Sequence, residues 1–323
     1  MGWYEAVGRR AFFAMDPEAA HRIAQRLLGL PLPWSRIGGS ANDPSLATSV
    51  AGIPLRNPVG LAAGFDKDCR HLDALGLLGF GFVVGGTVTL RPRAGNLRPR
   101  IARDPARRAH ENAMGLPNAG AEAAAASLAG SRRTCPRLVS IADEELADAL
   151  VAFELLAPHV DGVEINASSP NAGWTHRAEH LGALCRAIRE RTDLPILAKL
   201  PPFAGETDRS GVLAMASAAE AGGASGLTCT NTIPVADPRM PTGRGGLSGG
   251  PMTTRTPEQV AAVRGVSGLP IIACGGIFSA EDAAASLGAG AAAVQVYSAL
   301  IYEGPALLQR LTEGLAARVP AGD

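Results

Sequence analysis

The sequence has no net charge, no long apolar run and few aromatic residues, and these three features argue against a nucleic-acid surface, a membrane-spanning helix and an aromatic core. Thirty Lys and Arg residues balance thirty Asp and Glu residues, which argues against a broad nucleic-acid surface, because such a surface needs a basic excess. No run reaches the roughly 18 apolar residues of a membrane-spanning helix, and the N-terminus shows no signal-peptide pattern. Aromatic residues make up only 4% of the chain, so aliphatic residues, Ala and Gly must form the core.

Paired cysteines are also missing. The five cysteines are odd in number, form no CxxC pair and have no histidine cluster at metal-ligand spacing. Several of them lie in apolar runs, where a reduced, buried thiol is the usual state. We therefore predict no metal site, a reducing compartment and a cytoplasmic location.

What the chain does contain is a series of short apolar runs separated by Ala- and Leu-rich helical stretches. The predicted strands are Val59–Phe65, Phe80–Val88, Leu138–Ala142, Val160–Ser168, Ile196–Leu200, Gly226–Asn231, Ile271–Ile277 and Ala293–Leu300. Each run is continuous rather than alternating, as expected where both faces of a parallel strand are covered. The pattern predicts an α/β fold, a (β/α)8 TIM barrel over residues 42–323, with a doubly wound sheet as the alternative.

Residues 1–41 differ and predict a short N-terminal extension of amphipathic helices. Asp16 is placed to cap a helix that has Pro17 in its first turn and ends at Gly29. The extension is either a flap packed on the barrel or a surface that enters a membrane interface or admits a lipid-like substrate. Periodicity alone favours the flap.

Polar residues at the ends of the apolar runs predict where the chemistry lies, since the active site of a barrel is built at the C-terminal ends of its strands. Lys199, inside an apolar run, would point into the barrel mouth, and a buried ammonium group needs a counter-charge. A reduced flavin carrying negative charge would supply one; a lysine reaching solvent at the edge is the alternative. The segment Arg91–Asn118 is too long for a plain connection and predicts a functional excursion above the barrel.

Two glycine-rich segments, Gly245–Gly250 and Gly275–Gly276, predict a cradle for a phosphate-bearing cofactor, together with Tyr297 and Ser298. In this fold, backbone N–H groups of the loops after the last strands commonly bind phosphate. No G-x-G-x-x-G motif follows the first strand and no Walker A motif is present, so neither a nicotinamide cofactor nor ATP is supported.

Several motifs together resemble the class 2, quinone-dependent and membrane-associated dihydroorotate dehydrogenases over nearly the whole chain. They are Arg10–His21, Asn57–Lys67, Gly86–Thr89 with Pro92–Pro99, Asn112–Gly115, Asn166–Asn171, Thr230–Thr232, Gly246–Gly249 and Val294–Ser298. The resemblance implies FMN as cofactor, oxidation of dihydroorotate to orotate in pyrimidine biosynthesis, and a quinone as electron acceptor. It also implies that the N-terminal helices form a quinone entrance at the inner face of the cell membrane.

The same resemblance implies roles for individual residues. Ser169 matches the base that removes the C5 proton while a hydride passes from C6 to the flavin. The residues that match substrate-binding positions are Lys67, Asn112, Asn166, Asn171, Asn231 and Thr232. The residues that match FMN-contacting positions are Ala62, Ala63, Thr87, Asn166, Lys199, Thr230, Gly249, Gly276, Tyr297 and Ser298.

The sequence departs from the family pattern in several places, among them Gly85, Gly250 and a short segment between strands three and four, and three further changes lie in longer motifs. Ser140–Asp143 replaces an Asn-x-Gly-Lys-Asn motif, Ala172–His176 replaces Thr-Pro-Gly-Leu-Arg, and Leu116-Pro117 replaces Phe-Asn. These changes leave two alternatives open: an FMN oxidoreductase of the same fold acting on a different cyclic substrate, and a non-catalytic flavin-binding protein.

Overall fold

The computed structural model describes residues 4–39, 43–168, 177–203 and 206–319. Its strands are β1 (Thr48–Val50), β2 (Ile53–Leu55), β3 (Val59–Leu61), β4 (Phe82–Val88), β5 (Ile101–Asp104), β6 (Ala109–Asn112), β7 (Arg137–Ile141), β8 (Gly162–Asn166), β9 (Ile196–Leu200), β10 (Gly226–Cys229), β11 (Ile233–Ala236), β12 (Arg244–Gly249), β13 (Ile271–Cys274) and β14 (Ala293–Val296). Its α-helices are α1 (Arg9–Phe13), α2 (Pro17–Leu28), α3 (Trp34–Gly38), α4 (Leu72–Leu77), α5 (Ala121–Ala129), α6 (Leu146–Leu156), α7 (Ala178–Arg189), α8 (Glu206–Ala221), α9 (Arg255–Arg264), α10 (Ala280–Gly288), α11 (Ser298–Glu303) and α12 (Leu307–Ala316).

Eight parallel strands close into a barrel in the order β10-β13-β14-β3-β4-β7-β8-β9. The predicted (β/α)8 barrel is therefore confirmed, and the doubly wound sheet is wrong. All eight apolar runs form barrel strands, but most end earlier than predicted: Val160–Ser168, for example, contains β8 at Gly162–Asn166. The polar residues beyond each strand end form the barrel mouth instead.

The barrel divides the hydrophobic core into an inner and an outer part. Because side chains alternate along a strand, Leu138 and Leu197 point inward while their neighbours Val139 and Ala198 pack against the surrounding helices. The hairpin of β1 and β2 closes one end of the barrel, and its Ile53 belongs to the inner cluster. The opposite end stays open as the mouth.

The N-terminal helices pack against the barrel, as the flap interpretation predicts. The Asp16 side chain accepts a hydrogen bond from the Ala19 amide at 2.9 Å and caps α2, and Gly29 is its C-terminal cap, both as predicted. The Gln25 side chain donates to the Phe65 carbonyl oxygen at 2.6 Å, which ties α2 to the loop after β3. No helix in the described part of the chain is both long and apolar enough to cross a bilayer.

A four-stranded antiparallel sheet, which we call the cap sheet, has the order β11-β12-β6-β5. Strands β5 and β6 come from the Arg91–Asn118 excursion, so the predicted excursion is confirmed, whereas its sheet structure was not predicted. Strand β12 contains most of Gly245–Gly250. That segment was predicted to be a loop after the last strands, which is wrong: it pairs with β6 and β11 and precedes the seventh barrel strand, β13.

Candidate active site

A cavity of about 1480 Å³ opens at the C-terminal ends of the barrel strands, between the barrel, the cap sheet and α2. Pockets for one small molecule usually measure roughly 300–1000 Å³. The cavity therefore has room for more than one ligand. Among the described residues, no group of three or more His, Cys, Asp and Glu side chains is placed to hold a metal ion.

The structure brings most of the predicted site residues to this cavity. The predicted residues that line it are Ala62, Ala63, Lys67, Thr87, Asn112, Asn166, Lys199, Asn231, Thr232, Gly249, Gly276, Tyr297 and Ser298. Thr230 does not line the cavity: it is fully buried behind the wall, and its hydroxyl has no partner in the described part of the chain. Ser169 and Asn171 lie outside the described residues, so their roles stay predictions.

Five side chains are linked into one hydrogen-bonded row at the mouth, in the order Asn231, Ser168, Asn166, Thr87 and Ser140. The Ser168 backbone N–H donates to Asn166 Oδ1 at 3.2 Å, and since an N–H can only donate, it fixes which side of the Asn166 amide faces it. The Ser168 hydroxyl lies 2.7 Å from the same oxygen and must also donate. On the other side, Asn166 Nδ2 donates to Thr87 Oγ1 at 2.9 Å, which lies 3.0 Å from Ser140 Oγ.

The direction of this row also fixes the orientation of Asn231. The Ser168 hydroxyl uses its proton on Asn166, so it can only accept from Asn231, whose Nδ2 lies 2.6 Å away. Asn231 Oδ1 makes no hydrogen bond within the described residues, and the residue lines the cavity. The site therefore offers an acceptor there, which suits an N–H group on a ring ligand.

Two glycines line the cavity at positions where no other residue would fit. Gly249 has φ +97° and Gly276 has φ +71°, a region that favours glycine. A Cβ on Gly249 would overlap the Arg108 carbonyl oxygen, and one on Gly276 would overlap the Thr253 backbone nitrogen. Both positions thus require glycine because of their backbone conformation and their close packing against neighbouring backbone.

Only two of the chain's thirty Lys and Arg residues are lysines, Lys67 and Lys199, and both line this cavity. Lysine presents a compact charge that can lose its proton, whereas arginine stays charged. The rarity of lysine therefore marks two cationic residues of the site in the sequence itself, although we did not use it as a prediction.

Lys199 is 4% exposed, which contradicts the alternative of a lysine reaching solvent. Its Nζ lies 3.8 Å from Glu164 Oε1, so the protein itself supplies a counter-charge, which was expected only from a reduced flavin. Burial opposes protonation of Lys199, but the adjacent Cys274 and Glu164 outweigh it and raise its pKa.

Lys67 has a different environment. Its Nζ donates to the Gly64 carbonyl oxygen at 2.6 Å. Burial, with a contribution from the nearby positive charge of Arg100, lowers its pKa to about 8. Lys67 is therefore an ammonium at neutral pH that can bind a carboxylate and that titrates within the working range of an assay.

His110 on β6 belongs to the site and was missed by sequence reasoning. Its Nε2 lies 3.0 Å from Ser248 Oγ, which also donates to the His110 carbonyl oxygen, and its Nδ1 lies 3.3 Å from Ser298 Oγ. One consistent assignment has Nε2–H donating to Ser248 and Nδ1 accepting from Ser298. Burial lowers the His110 pKa to about 4, so the ring is neutral at physiological pH.

A row of aromatic rings connects α2 with the cradle. His21 packs edge-on to Phe65 at 5.5 Å between ring centroids, Phe65 packs on Tyr297 at 5.8 Å, and Tyr297 lies 5.5 Å from His110. Burial, followed by the charge of Lys67, lowers the His21 pKa to about 3. The α2 side of the cavity thus combines neutral rings with charged residues such as Glu18 and Arg22.

Known proteins share this architecture. A family model described as dihydroorotate dehydrogenase matches residues 45–319. The dihydroorotate dehydrogenase (quinone) of Rhodospirillum rubrum is 40% identical to the chain, over 95% of this chain and 88% of its own length. That of an Anaeromyxobacter species is 38% identical, over 95% of this chain and 91% of its own.

Solved structures agree with the sequence relatives. A dihydroorotate dehydrogenase of Eimeria tenella, crystallised in complex with ferulenol, superposes with a TM-score of 0.83 at 28% identity, covering 94% of this chain and 91% of that one. These likenesses do not favour the alternative of a paralogue acting on another ring compound. The chain belongs to the dihydroorotate dehydrogenase family.

Proposed function

We propose that the chain oxidises dihydroorotate to orotate with FMN as its cofactor and passes the electrons to a quinone. The observation that carries this proposal is the hydrogen-bonded amide row, which presents an oriented acceptor in a cavity that Lys199 also lines and that is large enough for two ligands. The two amides of this row, Asn166 and Asn231, together with Asn112 and the predicted Asn171, would hold a flat ring edge to edge without adding charge to the site.

FMN fits the wall of the cavity in two respects. Gly249 and Gly276 line the cavity at the end of the barrel where backbone groups commonly bind a phosphate. Lys199 supplies a fixed positive charge at the mouth. When bound there, FMN would accept the hydride from the substrate, and the residues predicted to contact it are those named from the family resemblance.

The substrate would lie against the amides and the second lysine. Asn231 Oδ1 can accept a ring N–H, Asn112 lies on β6 of the cap sheet, and the Lys67 ammonium can pair with the ring carboxylate. Ser169 follows Ser168, which the amide row holds in place, and we propose it as the base that takes the C5 proton. A serine in this role needs the acidifying effect of the adjacent ring carbonyl and a proton relay.

The quinone would enter from the α2 side, where apolar side chains of the N-terminal helices contribute to the cavity wall. Phe12, Phe13, Ala20 and Ala24 of the N-terminal helices line this end. We propose that residues 1–41 form the quinone entrance and contact the membrane surface peripherally, and that the catalytic barrel comprises residues 42–323.

The first half-reaction is tested by mixing the purified yellow protein with dihydroorotate in the absence of oxygen. We expect the flavin absorbance band to bleach with one equivalent of dihydroorotate, and we expect Ser169→Ala to keep its flavin but lose the bleaching. Other cyclic amides serve as the control panel. A flavin that another ring compound bleaches while dihydroorotate leaves it oxidised would overturn the substrate assignment.

Quinone reduction is tested with a substitution that fills the proposed entrance. Deleting α2 is avoided, because it would leave the buried Arg100 without its partner Glu18. Ala24→Trp fills the α2 side of the cavity. We expect slower quinone reduction with unchanged bleaching by dihydroorotate, and Ala126→Trp on the outer helix α5 serves as control. Unchanged quinone kinetics in Ala24→Trp would place the acceptor elsewhere.

A further inference from the structure

The inside of the barrel changes from apolar to polar just below the mouth. Leu138, Leu197 and Ile272 belong to the inner hydrophobic cluster. Two residues further along the same strands, on the same inward face, stand Ser140, Lys199 and Cys274. Glu164, Thr228 and Gln295, all 0% exposed, complete this polar layer. Barrel interiors are usually filled by Val, Ile and Leu, so a charged layer requires an explanation.

Glu164 is the centre of the layer. Its Oε2 accepts hydrogen bonds from the Thr228 hydroxyl at 2.9 Å and from Gln295 Nε2 at 3.4 Å. Its Oε1 has no hydrogen-bond partner in the described part of the chain and lies 3.8 Å from Lys199 Nζ. Glu164 itself does not line the cavity, whereas Lys199 does.

These contacts fix the charges of the pair. Oε1 of Glu164 lies 3.8 Å from the Lys199 ammonium, which can only donate, so the carboxylate is the acceptor of an ion pair. The layer therefore carries one negative and one positive charge, with the positive end toward the cavity.

We propose that Glu164 is a positioning residue that keeps Lys199 protonated and fixed at the barrel mouth, so that the cavity meets the cationic end of a neutral pair instead of an isolated charge. Lys199 would then be a cation before any ligand binds. No role was assigned to Glu164 from the sequence or from the family resemblance.

The Glu164–Lys199 pair also affects how easily a bound flavin is reduced, an inference that rests on the proposed function. A reduced flavin that gains negative charge beside Lys199 is stabilised by the lysine and opposed by Glu164 behind it. With Glu164 present, the flavin is harder to reduce than beside an uncompensated lysine. With Glu164 made neutral, the stabilisation depends on whether Lys199 keeps its proton.

The lysine content makes a direct test practical, since the chain has only two lysines and both line the cavity. The FMN-free protein is treated with trace acetic anhydride at a series of pH values, and acetylation of each lysine is followed by mass spectrometry. Only a neutral amine reacts. Lys67 serves as the internal control for reagent entry, and Thr228→Val is the matched variant that removes a donor to Glu164 without removing its charge.

In the wild-type protein we expect Lys67 to be acetylated near pH 8 and Lys199 to stay unreacted. In Glu164→Gln we expect Lys199 acetylation at pH 8 to rise about tenfold or more, as a pKa lowered by one or more would produce. Thr228→Val should behave as wild type. Equal Lys199 reactivity in wild type and Glu164→Gln would refute the proposal.

Thermal unfolding of single and double variants tests the same pair in a second way, which remains informative if Glu164→Gln folds poorly. Glu164→Gln and Lys199→Met each leave one buried charge without its partner, whereas the double variant removes both charges. We expect each single variant to lower the thermal unfolding midpoint of the FMN-free protein and the double variant to recover most of that loss. Losses that simply add in the double variant would show that the two residues are not coupled.

The flavin-bound protein provides the last readout. At low pH we expect the midpoint potential of Glu164→Gln to be more positive than that of the wild type. Above the pH at which Lys199 loses its proton in the variant, we expect this difference to disappear. Potentials that coincide across pH 6–9 would contradict the flavin part. If the protein does not bind flavin, the proposed function fails, while acetylation and unfolding still decide the Glu164–Lys199 pair.

Discussion

Replacement of Ser168 by Ala is expected to weaken ring binding by a magnitude that follows from its contacts. Its hydroxyl donates to Asn166 and accepts from Asn231. A typical hydrogen bond contributes about 0.5–1.5 kcal/mol net, so losing the one that orients Asn231 corresponds to roughly 2- to 13-fold in affinity. Asn166 keeps its orientation, because the residue 168 backbone N–H still donates to it. The loss therefore falls on Asn231, which becomes free to turn its amide around.

The assay is a titration of the oxidised yellow protein with orotate, followed by the shift of the flavin spectrum, together with kcat and KM for dihydroorotate. We expect a weaker orotate affinity and a higher KM in Ser168→Ala, with the affinity restored in Ser168→Thr, which keeps the hydroxyl. Ser140→Ala, at the far end of the same row, should have a smaller effect because it does not contact Asn231. Equal effects of Ser168→Ala and Ser140→Ala would refute the claim that the Ser168 hydroxyl orients the Asn231 amide.

Two further predictions concern charged groups. Burial and the positive charge of Arg100 lower the Lys67 pKa to about 8, so Lys67 is an ammonium below that pH. Orotate affinity should therefore fall as the pH rises through 8 in the wild type and stay constant in Lys67→Met. A wild-type affinity that does not change with pH would contradict this. Glu18→Gln should cost about 3 kcal/mol in urea unfolding, since Arg100, whose side chain is 8% exposed, loses its 2.7 Å partner. Asp148→Asn should cost less than about 1 kcal/mol, because its partner Arg91 is 78% exposed; equal losses would contradict the burial argument.

The eight barrel strands could be predicted because their sequence signal is strong and local. A strand covered on both faces needs a continuous apolar run, and β4 and β9 are buried at every position. Their ends were less predictable, since residues such as Ser168 continue the run in composition but already belong to the mouth. The cap of α2 was equally local, because Asp16 and Pro17 act within one turn.

The cap sheet could not be predicted, because it depends on partners far apart in the chain. Strands β6 and β12 pair Asn112 with Gly246, across 134 residues, and neither strand is an apolar run. The glycines of β12 indicated a phosphate loop, which is what glycine-rich segments usually form at this end of a barrel. In the structure, Gly246 lies so close to Thr232 that a side chain would overlap its hydroxyl, so close packing explains this glycine.

For the site, the amides and Lys199 were identifiable because polar residues interrupt apolar strands, but their partners were not. The Glu164–Lys199 contact joins two neighbouring strands whose register only the closed barrel determines. The sequence did contain one unused signal. With two lysines among thirty Lys and Arg residues, the positions that retain lysine could have been named as the cationic groups of the site.

The cap sheet has a consequence for attempts to re-engineer this scaffold. Its four strands come in equal shares from two insertions, one after the second barrel strand and one after the sixth, and the central β6–β12 pairing joins them. Exchanging either insertion alone with that of a homologue would leave a two-stranded ribbon with an unmatched edge. New substrate preferences would therefore have to be transplanted with both insertions moved together.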